Sequence, residues 1–456
     1  MKKTAKKLLA GLTAVLMSAS LAACGNSETG SSSTPETSGT SAGSSGADAS
    51  SSTEKLVAED GAVLKFAYWE GSPSDAAAWA AVLENFKKDH PEITLQTESY
   101  PSNSFVGQLD TMIAGGNWPD VMRYSYQRMG KFKEADVMLD LTDLISQDSQ
   151  EDLLPAYRAA VSYNGKLVAM PHHTDTIGLY YNKKMFADAG IRIPQNANDG
   201  WTWDELAQYA KKLKEANNLD YAFGGIWEAK SGYRYLPFVY MNGGAILNDD
   251  GTQITIDEEK SLEAFKLYEN LRKDDLIINT GFTQEAQNNM LFAAQKLAFV
   301  FAGSWHMSYM QENMPDNWGV TYMPQVDGKT TSDMGGNGLF AYGGSKYPKA
   351  SAILIDYITS PQQMRVFCET GNFLPVRQSL IETGLTYQSF PDEMKLFTNI
   401  VATLDSKLAS DVTSTRFQQL NSIFSEQMDY LVADSSTTAE EVVATMKEQM
   451  QEALDE

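Results

Sequence analysis

The sequence predicts an α/β fold organised as two lobes. Three observations carry this reading. Leu64-Lys65-Phe66-Ala67-Tyr68-Trp69 opens a β-α-β-α-β succession that runs to Val121-Met122, the pattern of a parallel sheet with right-handed crossovers. Strand and helix patterns then continue, with a break in the middle, to the end of the chain. Some 400 residues from Lys55 to Glu456 are globular in character, more than one ordinary core accommodates.

Each element has a local cause. The first strand alternates apolar and polar residues from Leu64 to Trp69. Ser72-Pro73-Ser74-Asp75 starts a helix that carries Trp79, Val82, Leu83 and Phe86 at helical spacing, and His90-Pro91 stops it. Ile93 to Glu98 is a second strand, Phe105 to Ala114 a helix ended by Gly115-Gly116, and Val121-Met122 a short third strand. Short strands follow over Lys166 to Pro171 and Gly178 to Tyr181. Thr202-Trp203-Asp204-Glu205 is a capping box opening a helix to about Ala216. Asp249-Asp250-Gly251 turns a hairpin between Ala245-Leu247 and Gln253-Ile256. That hairpin explains Asn248 to Gly251 better than a calcium loop, because the alternating acids and the distal Glu are missing. Ser261 to Lys273 is an amphipathic helix, Leu297 to Phe301 a buried strand, and Ser360-Pro361 a further helix start. The last 60 residues read as helical and acidic.

The first 54 residues have a different character. Lys2, Lys3, Lys6 and Lys7 precede an apolar run from Leu8 to Met17, the layout of a secretory signal peptide too short to span a bilayer. The run ends in Leu21-Ala22-Ala23-Cys24, which resembles the bacterial lipobox. That resemblance implies cleavage before Cys24 and lipidation of its thiol. Asn26 to Thr53 is almost all Ser, Thr, Gly and Ala and cannot bury a core. It reads as a flexible tether with a root-mean-square reach of about 30 Å. The remaining cysteine, Cys368, reads as a buried free thiol with a packing role. The formal net charge is −23, and loss of the four leader lysines takes the mature chain to about −27. Such a chain is not expected to bind nucleic acid or to make a polybasic membrane contact.

Several segments in order resemble the extracellular solute-binding proteins that feed carbohydrate ABC transporters. They are Tyr68-Trp69-Glu70, Gly115-Gly116-Asn117-Trp118-Pro119-Asp120-Val121, Asn164 to Pro171, Leu179 to Phe186, Thr202 to Leu206, Met241 to Gly244, Gly303-Ser304-Trp305, and Lys346 to Ala350 followed by Tyr357 to Pro361. The resemblance implies a periplasmic-binding-protein type II fold, each lobe a mostly parallel sheet flanked by helices, with a hinged ligand cleft between. It implies a first lobe of 55–173 plus 304–343 and a second of 174–303 plus 344–456. Residues 1–23 are then the leader and 24–54 the lipidated cysteine and tether. Chain crossings are expected near His173–Thr176, Ala302-Gly303 and Tyr342–Ser345.

A sugar offers apolar C–H faces to aromatic rings and hydroxyls to carboxylates and amides, so its site pairs Trp or Tyr with such groups. Trp69 and Glu70 follow the first strand, and Asp120 opens the third. Tyr124, Tyr126 and Gln127 come next, with Arg128 read instead as a structural salt bridge. His173 and Asp175 lie at the first crossing, as hydroxyl ligands or hinge residues. Trp227, with Tyr233 and Arg234 behind it, lies where the resemblance implies a stacking aromatic from the second lobe. Trp305 matches a position that the resemblance places at the cleft floor, and Gly336 and Asn337 are candidates to bring backbone N–H groups and an amide. Trp79, Trp201 and Trp203 read as structural. His172 and His173 are adjacent and point opposite ways in an extended segment, so no metal site is expected.

The resulting expectation is a monomeric, non-enzymatic binding protein with no cofactor. It is lipid-anchored at the outer face of the bacterial cytoplasmic membrane, and hands a carbohydrate, as an oligosaccharide, to an ABC permease. Two rivals stand beside it: the same fold holding a polyamine or other small solute, and a secreted glycan-active enzyme using a carboxylate pair from Glu70, Asp120 and Asp175.

Overall fold

The computed structural model describes residues 56–226, 231–283 and 287–456. The first lobe is built on a five-stranded sheet. Its strands are β1 (Val63–Glu70), β2 (Thr94–Pro101) and β3 (Val121–Ser125). A small hairpin of β4 (Ser162–Tyr163) and β5 (Lys166–Leu167) precedes β6 (Met170–His173). The second lobe contains β7 (Ile177–Asn182), β8 (Phe223–Gly225), β9 (Phe299–Gly303) and β10 (Trp318–Thr321), and β11 (Asn337–Ala341) returns to the first. The sheet orders are β2-β1-β3-β11-β6 and β10-β7-β9-β8.

The opening β-α-β-α-β unit is as the periodicity predicts. Ser72 caps the helix Pro73–Asp89 by accepting from Asp75 N, and Pro73 suits the first turn, where no N–H partner is required. That helix lays Trp79, Val82 and Phe86, each wholly buried, against Phe66 and Phe367. Each such side chain contributes about 1.5–3 kcal/mol of burial. Cys368 is buried beside them, and burial pushes its thiol pKa up, in keeping with a packing role. The capping box at Thr202 and Glu205 is formed, and Gly251 turns with φ +72 between strands that meet at Leu247 and Ile254.

Two expectations are corrected. The sheets are mixed: β1 pairs in parallel with β2 and β3, but β11 is antiparallel to both its neighbours, and β7 is antiparallel to β9 and β10. A strand that re-enters a lobe from across the hinge enters its sheet from the opposite end, which reverses its direction. The lobe boundaries also move. Residues 304–321 stay with the second lobe, because β10 pairs with β7. The second crossing lies between β10 and β11. Helices Pro348–Thr359 and Pro361–Gly371 pack on β6 and on the helix Pro73–Asp89, so they belong to the first lobe. The third crossing lies between helix Gln378–Thr383 and helix Pro391–Val401, the latter packed on β7 and β10.

Candidate interlobe binding site

The C-terminal ends of β1, β3 and β6 and the start of β11 open toward the second lobe, where α/β sheets place ligands. Two hollows lie there. The first, of about 370 Å³, has Trp69, Ser125 and Gln127 on the first lobe and Ser231, Tyr233 and Asn421 on the second. The second, of about 820 Å³, is walled by Asp175, Trp305, Ser72, Asn372, Phe373 and Gln388, among others.

Trp69 is held from below. The Arg123 guanidinium lies 4.5 Å from its ring centroid and donates to its carbonyl oxygen at 2.6 Å. Arg123 is buried and also donates to Asp75 Oδ2 and His173 Nε2, each at 2.9 Å. Asp75 is buried with it, so the pair is a charge-compensated strut under a partly exposed ring. Glu70, at the end of β1, sits beside Tyr68; burial first and then this carboxylate push the Tyr68 phenol up to about 12. In the second hollow Trp305 is 39% exposed, with the Arg234 guanidinium 4.6 Å from its ring centroid. Arg234 is in turn ion-paired with the buried Asp333.

Several candidates form the hinge and not the lining. His173 is buried, and its Nε2 accepts from both Arg123 and Asn337 Nδ2 (3.0 Å), so Nδ1 carries the proton. Burial, followed by the neighbouring Arg123, holds its pKa well below the usual histidine value, and the ring is neutral. Tyr126 is also buried and donates to His173 O at 3.0 Å. Gly336 has φ +85, and a Cβ there would lie 2.4 Å from His173 O. His173, Tyr126, Gly336 and Asn337 thus lock the first crossing to the second. His173 Nε2, the Tyr126 hydroxyl and Asn337 Nδ2 are engaged within this hinge, and none of the four residues lines either hollow. Among the described residues no group of three or more His, Cys, Asp or Glu side chains could hold a metal ion.

Asp120 lies elsewhere. It precedes β3, whose other end faces the cleft, about 17 Å away at 3.3 Å per residue. Its carboxylate accepts from Lys65 N (2.8 Å) and Ser345 Oγ (2.6 Å), fastening the base of the sheet. Tyr124 is buried among Phe105, Phe132 and Phe340, although it contributes to the first hollow's wall. Gln127 lines that hollow while its side chain donates to Met334 O in the second crossing. Arg128 makes no salt bridge among the described residues, contrary to expectation, because its turn points it into the groove between the lobes. Trp227 and Cys24 lie outside the described residues. Gln418, Asn421 and Ser422 were not anticipated. They stand on one face of the helix Phe417–Ala433, and nothing in their local sequence distinguishes them from a solvated helix face.

Residues 70–365 match the family model described as bacterial extracellular solute-binding protein. The chain belongs to that family. This solute-binding protein is 23% identical over 325 residues to the maltotriose-binding protein of Pyrococcus abyssi, covering 70% of this chain and 67% of that protein. It is 24% identical over 307 residues to the multiple sugar-binding protein of Streptococcus mutans, covering 63% and 69%. The crystal structure of the cyclic α-maltosyl-1,6-maltose binding protein from Arthrobacter globiformis superposes with a TM-score of 0.74 at 16% identity, over 86% of this chain and 98% of that one. At that identity the likeness establishes the two-lobed α/β fold of the solute-binding protein and no more.

Proposed function

We propose that this protein captures a sugar, in the form of an oligosaccharide, between its lobes and delivers it to an ABC permease for import. One observation carries the reading. The first hollow sets Trp69 and Tyr233, from opposite lobes, among serine hydroxyls and the amides of Gln127, Gln418 and Asn421. Stacking faces and uncharged hydrogen-bonding groups are what a ring of hydroxyls and C–H bonds requires. The second hollow, of about 820 Å³ and walled in part by Trp305 and Asp175, has a volume that accommodates more than one ring. The family and the sugar-binding names of the relatives support the same reading.

The rest of the proposal follows from the leader. Lipidated Cys24 anchors a monomer to the outer face of the cytoplasmic membrane, and the tether at 24–54 lets the lobes reach the permease. Binding involves no covalent step. Titration calorimetry of the purified protein against mono- and oligosaccharides, with spermidine in parallel, tests this. Saturable binding of a sugar recovered intact supports it. Binding of spermidine alone replaces the ligand, and release of new reducing ends replaces the function.

A further inference from the structure

We propose that the captured sugar is anionic and that Arg128 receives its acid group. This rests on the sugar-binding reading above and narrows it. The cleft's charges are segregated. Arg128 is the one charged side chain among the described residues lining the first hollow. An adjoining hollow of about 330 Å³ shares Arg128 and adds Lys131, Arg416 and Glu134. Three cations thus face one carboxylate, on a chain of net charge −23. Lys131 is paired with Asp110 at 2.5 Å and Arg416 with Glu134 at 3.0 Å. Arg128 has no such partner among the described residues. The charged side chains lining the second hollow are Asp175 and Glu369, both acidic.

The cleft is therefore polarised, with its uncommitted cation at the end where the stacking and amide groups gather. The base of Arg128 is fixed while its head is exposed. Its turn, Tyr126–Arg128, follows β3 directly, and Gln418 Nε2 donates to Gln127 O at 3.0 Å across the lobes. A guanidinium presents a planar fork that matches a carboxylate or phosphate by two parallel hydrogen bonds. The acidic remainder of the chain opposes an anion only weakly, since charges beyond about 8 Å are screened at physiological ionic strength. An uronate sugar and a sugar phosphate present the same chemistry to this group.

Calorimetry on the full-length protein with matched pairs tests the inference. The pairs are trigalacturonate against its carboxyl-reduced counterpart, a glucuronate-bearing xylotriose against xylotriose, and glucose 1-phosphate against glucose. In at least one pair the acid member is expected to bind about tenfold or more tightly, with affinity falling as salt rises. Which pair responds separates a carboxylate from a phosphate. Arg128→Gln is expected to bring that ratio to about one and Arg128→Lys to retain part of it, with circular dichroism confirming the fold. Neutral members binding as tightly as acidic ones overturn the inference and leave sugar capture standing. A ratio that survives Arg128→Gln also overturns it. Binding of a neutral sugar outside these pairs and of no member of any pair overturns the inference alone, and binding of spermidine with no sugar sinks both readings.

Discussion

Trp69 shows how one side chain depends on a buried charge. Its ring rests on Arg123, which is neutralised by Asp75 and directed by His173. As a stacking platform, the ring makes Trp69→Ala weaken sugar binding about tenfold or more, and the thermal midpoint is expected to fall modestly as well, since the ring also packs on Phe105 and Arg123. Calorimetry and a melting curve on the same sample check both halves. Asp175 gives a second residue-scale prediction. A Cβ on Gly335 would lie 1.7 Å from Asp175 Oδ1, so Gly335→Ala must push that carboxylate from its place on the second hollow's wall. Sugar affinity is expected to fall with secondary structure intact; unchanged affinity would remove Asp175 from the site. Arg377 is structural in the same manner. It is buried, and donates to Asp152 Oδ2 (3.2 Å), Thr359 O (2.6 Å) and Ser149 O (2.9 Å). Arg377→Ala removes this donor from Thr359 O and Ser149 O, while Asp152 Oδ2 keeps its hydrogen bond from Ser379 Oγ, and it is expected to cost about 2–3 kcal/mol in denaturant unfolding.

At the scale of elements, the lobes meet over the helices Gly130–Glu134, Pro155–Ala160 and Ser406–Asp411. Lys133 lies buried in that contact and donates to Ala160 O at 2.8 Å and Thr413 O at 3.0 Å. Among the described residues it makes no salt bridge, and burial lowers its pKa to about 7. The unfolded chain keeps an ordinary lysine near 10.4. Between those values the unfolded state holds a proton that the folded state has released, so this group makes stability rise with pH from about 7 to 10. Below 7 both states are protonated and its contribution is flat. Lys133→Met removes the slope. Denaturant unfolding of both proteins at pH 6.5 and pH 9 is expected to show the wild type gaining on the variant at the higher pH. An equal difference at both values would mean that the ammonium is retained.

At the scale of the whole molecule, a sugar at 100 times its Kd should stabilise the folded chain by about 2.7 kcal/mol, read as a rise in thermal midpoint. Lobe closure should accompany it as a smaller radius of gyration in solution scattering. Two crossings between strands and one between helices join the lobes, and the ring of His173, Tyr126, Gly336 and Asn337 holds the first two together. The proposed anchoring is tested separately. Cys24→Ala in the native bacterium is expected to move the protein from the membrane fraction to the medium; retention in the membrane would refute lipidation.

Local features could be read from the order of residues. The helix caps at Ser72 and Thr202, the burial of Trp79 and Trp201, the turn at Gly251 and the parallel start of the first sheet were all legible from periodicity and capping chemistry. The order of motifs was enough to indicate the family. Which lobe each late segment joins became clear from the folded chain, because strand pairing over a hundred or more residues leaves no periodic signal. The folded chain also separated Trp69 and Gln127, which line the cleft, from Asp120, which sits at the wrong end of its strand, and from His173, whose hydrogen bonds are consumed by the hinge. A residue's type tells what it can bind. Which end of a strand it occupies, and whether a neighbour has already claimed its polar atoms, depends on contacts between segments far apart in the chain.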